Sequence, residues 1–264
     1  MTSTTDKILS ATIGHVGLIT FNNPERHNAV SLEMWETVAR TFERFVADDA
    51  VRVIVLTGAG GKAFVSGADI SKFESERATR EAVERYNRSV EAINAAIYDC
   101  PKPTIAMIRG FCMGGGLGLA MCCDIRICSD GSRFALPAAK LGLGYGYPGI
   151  KRFIDVAGAA VAKEVFLTAK QYEAGDALRM GLVNHVLPDA EVEAFAMGMA
   201  ETIAANAPLT VRAIKGIAQE AVRDSTKRDL AKCDALVRAC FDSADYIEGR
   251  RAFMEKRKPN FQGR

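Results

Sequence analysis

Two glycine clusters carry the first chemical signal in this chain. Gly58 to Asp69 reads GAGGKAFVSGAD and Gly110 to Ala120 reads GFCMGGGLGLA, and each follows a short apolar run. Glycine lets a ligand approach the backbone closely. The second cluster opens onto an apolar helical stretch, Leu117 to Cys123, and free N–H groups at a helix start favour negative charge. Two such segments from different strands can aim two N–H donors at one oxygen. That is an oxyanion hole, in which losing one donor costs roughly 3–4 kcal/mol of transition-state stabilisation. Glycines that merely turn the chain are the alternative for either segment alone. Nucleotide chemistry fits poorly. The P-loop spacing fails because Leu56 stands where its first glycine belongs and Ala63 follows Lys62, and the dinucleotide pattern begun by Gly116, Leu117 and Gly118 meets Met121 at its third glycine.

Other reactive side chains form no constellation. His15, His27 and His185 share no metal-ligand spacing, and the seven cysteines include no C-x-x-C pair, so neither a metal site nor a disulfide framework is expected. Buried free thiols in a reducing compartment are the simpler reading. Asp69 and Asp124 sit beside the two glycine clusters, where each more naturally caps a helix or orders a loop than acts as a base. Tyr145 and Tyr147 lie in a third glycine-rich stretch, LGLGYGYPG.

The elements that would position these residues alternate. Ile8 to Ile13 and His15 to Phe21 read as strands around Gly14, and Ser31 can cap a helix carrying Leu32, Trp35, Val38, Phe42 and Phe45. Val51 to Thr57 and Thr104 to Arg109 are buried parallel-strand patterns leading into the two clusters, with a helical stretch from about Arg77 to Tyr98 between them. Asp124 to Cys128, Arg133 to Leu136 and Val183 to Leu187 are further short strands. The remainder beyond Ile150 is helical. The alternation predicts an α/β fold with a parallel-rich sheet and its site at the strand ends. A composition shift near Pro188 divides residues 1–188, an α/β core, from a helical region, 189–264.

Composition limits the partners. The chain has 264 residues, 48% hydrophobic and 25% charged, with a formal net charge of +2. Such a chain buries a sizeable core, and its balance implies no general affinity for nucleic acid or membranes. The one basic cluster is Lys256, Arg257 and Lys258. No apolar stretch of about 20 residues could span a membrane, and no secretory signal is visible, so a cytoplasmic location is expected.

Longer stretches then resemble a known family. NPERHNAV at 23–30, AFVSGADI at 63–70, GFCMGGG at 110–116, AMCCD at 120–124, the stretch 174–186 and AFMEKRKPNF at 252–261 are similar, in order and spacing, to the enoyl-CoA hydratase/isomerase (crotonase) superfamily. The resemblance implies a ClpP/crotonase-like fold of repeated ββα units with a helical C-terminal trimerisation region, and a homotrimer or dimer of trimers. It implies an acyl-CoA thioester as partner, with no cofactor beyond the coenzyme A carried by the substrate. The oxyanion-hole N–H groups would fall on Ala68 and Gly115 and stabilise a thioester enolate. Arg26 and the segment Ser66, Asp69 and Ile70 would lie along CoA, and Phe253 and Lys256 would reach its nucleotide end, in this subunit or a neighbouring one.

The departures from that family bear on the reaction. Its hydratases carry two glutamates, at positions where this chain has Gly118 and Ala138, and a further acidic position of some relatives reads Gly146. Hydration needs one group to activate water and one to protonate the α-carbon. Ordinary hydratase activity is therefore not expected, although lyase chemistry on a CoA thioester is. The region around Tyr145 is similar to that of methylmalonyl-CoA decarboxylases, whose reaction releases carbon dioxide and needs no base. Decarboxylation of a malonyl-type CoA is thus one alternative, with Tyr145 as a candidate catalytic phenol or a simple lining residue. A non-catalytic acyl-CoA binding protein is the other.

Overall fold

The structure, a computed structural model, describes residues 6–69 and 79–264. Two antiparallel strands open the chain, β1 (Ile8–Ile13) and β2 (Val16–Phe21), joined through Gly14 at φ 57°. Helix α1 (Leu32–Ala47) follows, its first turn capped by Ser31 Oγ, which accepts from Met34 N at 3.4 Å. Next come β3 (Val53–Gly58), β4 (Ala63–Val65) and α2 (Arg80–Tyr98), then β5 (Thr104–Ile108), β6 (Phe111–Met113) and α3 (Gly115–Ala120). This is the ββα unit in two successive copies. Strands β7 (Ile125–Ser129) and β8 (Arg133–Ala135) lead to α4 (Tyr147–Thr168), β9 (Tyr172–Glu173), α5 (Ala174–Arg179) and β10 (His185–Leu187). Four helices complete the described chain: α6 (Val192–Ala204), α7 (Pro208–Val222), α8 (Leu230–Phe241) and α9 (Ala244–Met254).

The strands form two sheets. The larger runs β1-β2-β3-β5-β7-β10, parallel from β2 onward, and the smaller runs β4-β6-β8-β9. The smaller sheet has no counterpart in the sequence patterns, where 58–69 and 110–120 show glycine clusters and no strand alternation. Strands of three residues show too little alternation to stand out beside glycine.

Burial on both faces explains the continuous apolar strands. Ile54 and Leu56 of β3 pack with Trp35, Val38 and Phe42 of α1, whereas Val53 and Val55 face Val192, Ala196 and Ala200 of α6. The helix just beyond Pro188 therefore still covers the main sheet. Phe21 meets Trp35 and Phe64 edge-on, with centroids 6.3 and 6.1 Å apart.

Asp124 proves to be a tie between elements. Its Oδ2 accepts from Thr104 N at 2.7 Å and from Lys215 Nζ of α7 at 2.7 Å. Lys215 also donates to Lys102 O at 2.9 Å, and Lys102 is itself buried with its Nζ on Phe45 O and Asp48 O. Removing one partner of a buried pair costs about 3–5 kcal/mol. Because Asp124 keeps 32% side-chain exposure, Asp124→Ala is expected to cost less, about 2–3 kcal/mol, read as a lower urea midpoint.

Candidate active site

The turn between Asn23 and Asn28 fixes one wall. Asn28 takes φ 55°, accepts from Asn23 N at 2.8 Å and donates from Nδ2 to Ala63 O at 2.7 Å. The turn is thereby bolted to β4. Beyond it Val30 pairs with Ala68: Val30 N donates to Gly67 O at 2.9 Å and Asp69 N donates to Val30 O at 3.0 Å. This register uses the groups on either side of Ala68 and leaves the Ala68 N–H without an acceptor among the described residues.

The second donor stands at the start of α3. Gly118 N bonds back to Gly114 O at 3.0 Å, so the N–H groups before it, that of Gly115 first, have no partner inside the helix. The two segments touch. Gly67 (φ 111°) and Gly114 (φ 52°) both adopt left-handed backbone, a Cβ on Gly67 would lie 3.9 Å from Gly115 N, and one on Gly114 would lie 3.9 Å from the Gly67 Cα. Behind them Gly116 packs so tightly on β4 that a Cβ would fall 2.1 Å from Val65 O. Trp35 backs Gly115 at 3.8 Å from its ideal Cβ, and its indole N–H is held by the Tyr86 hydroxyl at 3.0 Å.

The expected CoA-side residues gather here. Arg26 Nη1 pairs with Asp69 Oδ1 at 3.2 Å, and Asp69 is buried. Ser66 N donates to His27 O at 3.2 Å. Ile70 lies outside the described residues. Arg26 and Ser66 open onto a groove of about 510 Å³ whose apolar floor includes Phe111, Met113 and Pro137, with Lys140 on its rim. Lys140 was not singled out in the sequence; only the folded groove brings it opposite Arg26. Phe253 is 83% exposed on α9, and Lys256 closes that helix with φ 53°. Neither lines this groove.

The two tyrosines separate clearly. Tyr147 is exposed, while Tyr145 packs into the core against Phe166, centroids 4.8 Å apart. Its hydroxyl lies only 2.8 Å from where a Cβ on Gly118 would be built. The phenol thus takes the space in which a side chain at 118 would start. Burial pushes its pKa up to about 12, with the charges of Cys122 and Glu91 adding to the shift. Ala138, at the other departure, is buried in the single turn Pro137–Leu141.

A carboxylate outside the glycine segments is paired across two helices. Glu91 of α2 is gripped by Arg152 of α4, Nη1 to Oε2 at 3.1 Å and Nη2 to Oε1 at 2.5 Å. The sequence reading, which counted only positions 118, 138 and 146, did not include it. Nothing local marks it, because its partner Arg152 arrives from another helix. The histidines stay structural in their contacts: His15 Nδ1 meets Ala50 O at 2.8 Å, and His27 and His185 lie against Phe111 and Phe195.

Comparison with known proteins agrees with this architecture. Residues 12–264 match the enoyl-CoA hydratase/isomerase family. A short-chain-enoyl-CoA hydratase of Clostridium acetobutylicum is 34% identical over 93% of this chain and 93% of its own length. A methylmalonyl-CoA decarboxylase of Escherichia coli is 32% identical over 96% of both. The crystal structure of an enoyl-CoA hydratase/carnithine racemase from Magnetospirillum magneticum superposes with a TM-score of 0.94 at 38% identity, covering 99% of this chain and 97% of that one. The chain belongs to the enoyl-CoA hydratase/isomerase family of the crotonase superfamily, and its fold is the crotonase fold.

Proposed function

We propose that this acyl-CoA enzyme holds the thioester carbonyl oxygen between the N–H groups of Ala68 and Gly115 and stabilises the enolate that forms there. The observation that carries the reading is the pair of backbone donors, on two touching segments, that have no acceptor among the described residues. Donors already in place cost no reorganisation as charge develops on the oxygen. In this reading CoA runs along the groove lined by Arg26 and Ser66, with Asp69 paired to Arg26; the same role is expected of Ile70, outside the described residues. Exposed Phe241, Ile247, Phe253 and Met254 on α8 and α9 favour a homotrimer or dimer of trimers, in which Phe253 and Lys256 meet CoA across a subunit boundary. Sedimentation at a trimer or hexamer mass checks that assembly; a stable monomer contradicts it.

Loss of carbon dioxide from a malonyl-type CoA is the second reading, and Tyr145 is the observation that favours it. In that reaction the C–C bond to the carboxylate breaks, its electron pair enters the enolate, carbon dioxide leaves, and solvent returns a proton to the α-carbon. No base is required. A phenol with pKa near 12 stays protonated and can donate to the leaving carboxylate. The sign is that of a raised acid: the donor is intact at ordinary pH and is lost only as pH climbs towards the raised value. Turnover is therefore expected to show no alkaline inflection from this group below about pH 11. Tyr145→Phe should lower the decarboxylation rate about 10-fold or more, the loss of one positioned hydrogen bond; an unaltered rate leaves Tyr145 as lining only.

The deciding experiment is a panel of acyl-CoAs, including methylmalonyl- and ethylmalonyl-CoA, with products read by mass spectrometry. Carbon dioxide release identifies the decarboxylase, and a shifted double bond identifies an isomerase. Tight binding with no turnover on any member would make the protein an acyl-CoA binder.

A further inference from the structure

A second cavity, of about 400 Å³, lies away from the glycine segments. Arg52 and Lys102 on its wall stand just before β3 and β5, whereas the Ala68 and Gly115 amides follow those strands, so the cavity occupies the opposite end of the larger sheet. Its volume is that of a small-molecule site. Arg52, Lys102, Arg212 and Arg264 line it, against Asp49 as the one carboxylate side chain among the described residues. Its innermost cations are held by neutral groups. Lys102 is 2% exposed, and its Nζ donates to Phe45 O and to Asp48 O, both at 2.7 Å, which leaves one ammonium N–H over. Those carbonyls end α1 and carry only partial negative charge. Arg52 Nη1 donates to Ala204 O at 3.0 Å and Nη2 to Phe261 O at 2.8 Å, so part of its fork is also left over. Neither side chain forms an ion pair among the described residues. Arg212 has Asp49 at 3.8 Å, a weak pairing because the Asp49 side chain is 98% exposed. Buried charges are normally matched by opposite ones. Here burial and then the charge of Arg212 push the Lys102 pKa down, as expected of cations that share a cavity without a counter-ion. Pro103, Ile203 and Val211 give the same cavity an apolar side.

We propose that this cavity is a second binding site, for a phosphate group held by Arg52, Lys102 and Arg212, either free or carried as the monoester of a small metabolite. Phosphate offers oxygens to several donors at once, and guanidinium forks match its geometry. Its charge supplies the counter-ion that Lys102 and Arg52 lack. The apolar side suits the organic part of an ester. Arg52 also holds Phe261 O, and Gln262 and Gly263 line the cavity, so bound phosphate ties the segment 261–263 to the starts of β3 and β5. The site is separate from the groove lined by Arg26 and Ser66, and it does not depend on the enolate reading.

The test is calorimetric titration of the full chain with inorganic phosphate and with phenyl phosphate, at an ionic strength held fixed with sodium chloride, with and without saturating butyryl-CoA. Saturable binding that persists under butyryl-CoA is expected, since the thioester fills the groove and leaves this cavity open. Tighter binding of phenyl phosphate assigns the apolar side to an ester group, and equal affinities assign the site to free phosphate; either result supports the proposal. Arg212→Gln should weaken phosphate binding about 10-fold or more, the loss of one charge-assisted contact, with the unfolding midpoint and butyryl-CoA affinity unchanged. Asp49→Asn removes the opposing carboxylate and should tighten binding about 2- to 5-fold, an effect that a merely structural role for these two side chains does not produce. No saturable binding, binding abolished by butyryl-CoA, or an affinity unaltered in both variants would overturn the proposal. Each of these results leaves the oxyanion hole standing.

Discussion

Gly115→Pro is expected to slow turnover of the true substrate by roughly 10²–10³-fold, about 3–4 kcal/mol, with the fold kept. The substitution is unusually clean at this position. Gly115 is the first residue of α3, where proline is well accommodated, and its N–H has no acceptor in the protein among the described residues. The preceding residue is Gly114, so the clash between a proline ring and a preceding Cβ does not arise. What disappears is one donor facing the carbonyl oxygen, and the ring Cδ takes the place of its hydrogen. A donor that matters mainly once charge has developed shows up in kcat more than in KM. Gly115→Ala is the control, since its Cβ meets Trp35 at an ordinary 3.8 Å and the N–H remains. Full activity in Gly115→Pro, measured on whichever substrate the acyl-CoA panel identifies, would mean that this N–H does not hold the thioester.

The glycine turns of this candidate site were legible in the sequence because they are made of backbone. Glycine is the residue that permits left-handed turns and close chain approach, so Gly67 and Gly114 announce the turns that their φ values of 111° and 52° require. The long strands and α1 were equally readable, since their apolar periods are set by one burial direction each. The smaller sheet was not, because its strands β4 and β6 are three residues long and derive their order from parallel pairing, β4 with β6 and β6 with β8, between separate stretches of the chain. The same holds for side chains whose meaning depends on packing. Asp124 looked like a neighbour of the glycine segment and turned out to be a partner of Lys215, 91 residues away. Glu91 and Arg152 are 61 residues apart and meet only because the fold brings a side chain of α2 to one of α4. Tyr145 and Tyr147 are equivalent in sequence, and it is the contact of one ring with Gly149 and Phe166 that divides them.

That division of space governs the second large effect. Hydration of crotonyl-CoA by the wild type is expected to be about 10³-fold or more below that of a glutamate-bearing relative, since each positioned acid or base contributes roughly 10²–10⁴-fold. Restoring the two carboxylates alone is not expected to restore the reaction. A Cβ at position 118 would sit 2.8 Å from the Tyr145 hydroxyl, and the ring that must then shift is packed against Phe166 and over Gly149. Gly118→Glu/Ala138→Glu should therefore stay within about 10-fold of the wild type, its new carboxylate at 118 either displaced or the tyrosine forced out at a packing cost of about 1–3 kcal/mol. Adding Tyr145→Ala opens the space, and the triple variant should gain about 10²-fold in hydration over the double, followed as loss of enoyl thioester absorbance. Position 118 and position 145 then behave as one unit: glycine is tolerated at the first because the phenol of the second fills the first's share of the pocket. A double variant that hydrates as fast as the triple would break that coupling, and a wild type as fast as its glutamate-bearing relatives would show that the protein draws both catalytic groups from elsewhere in the pocket.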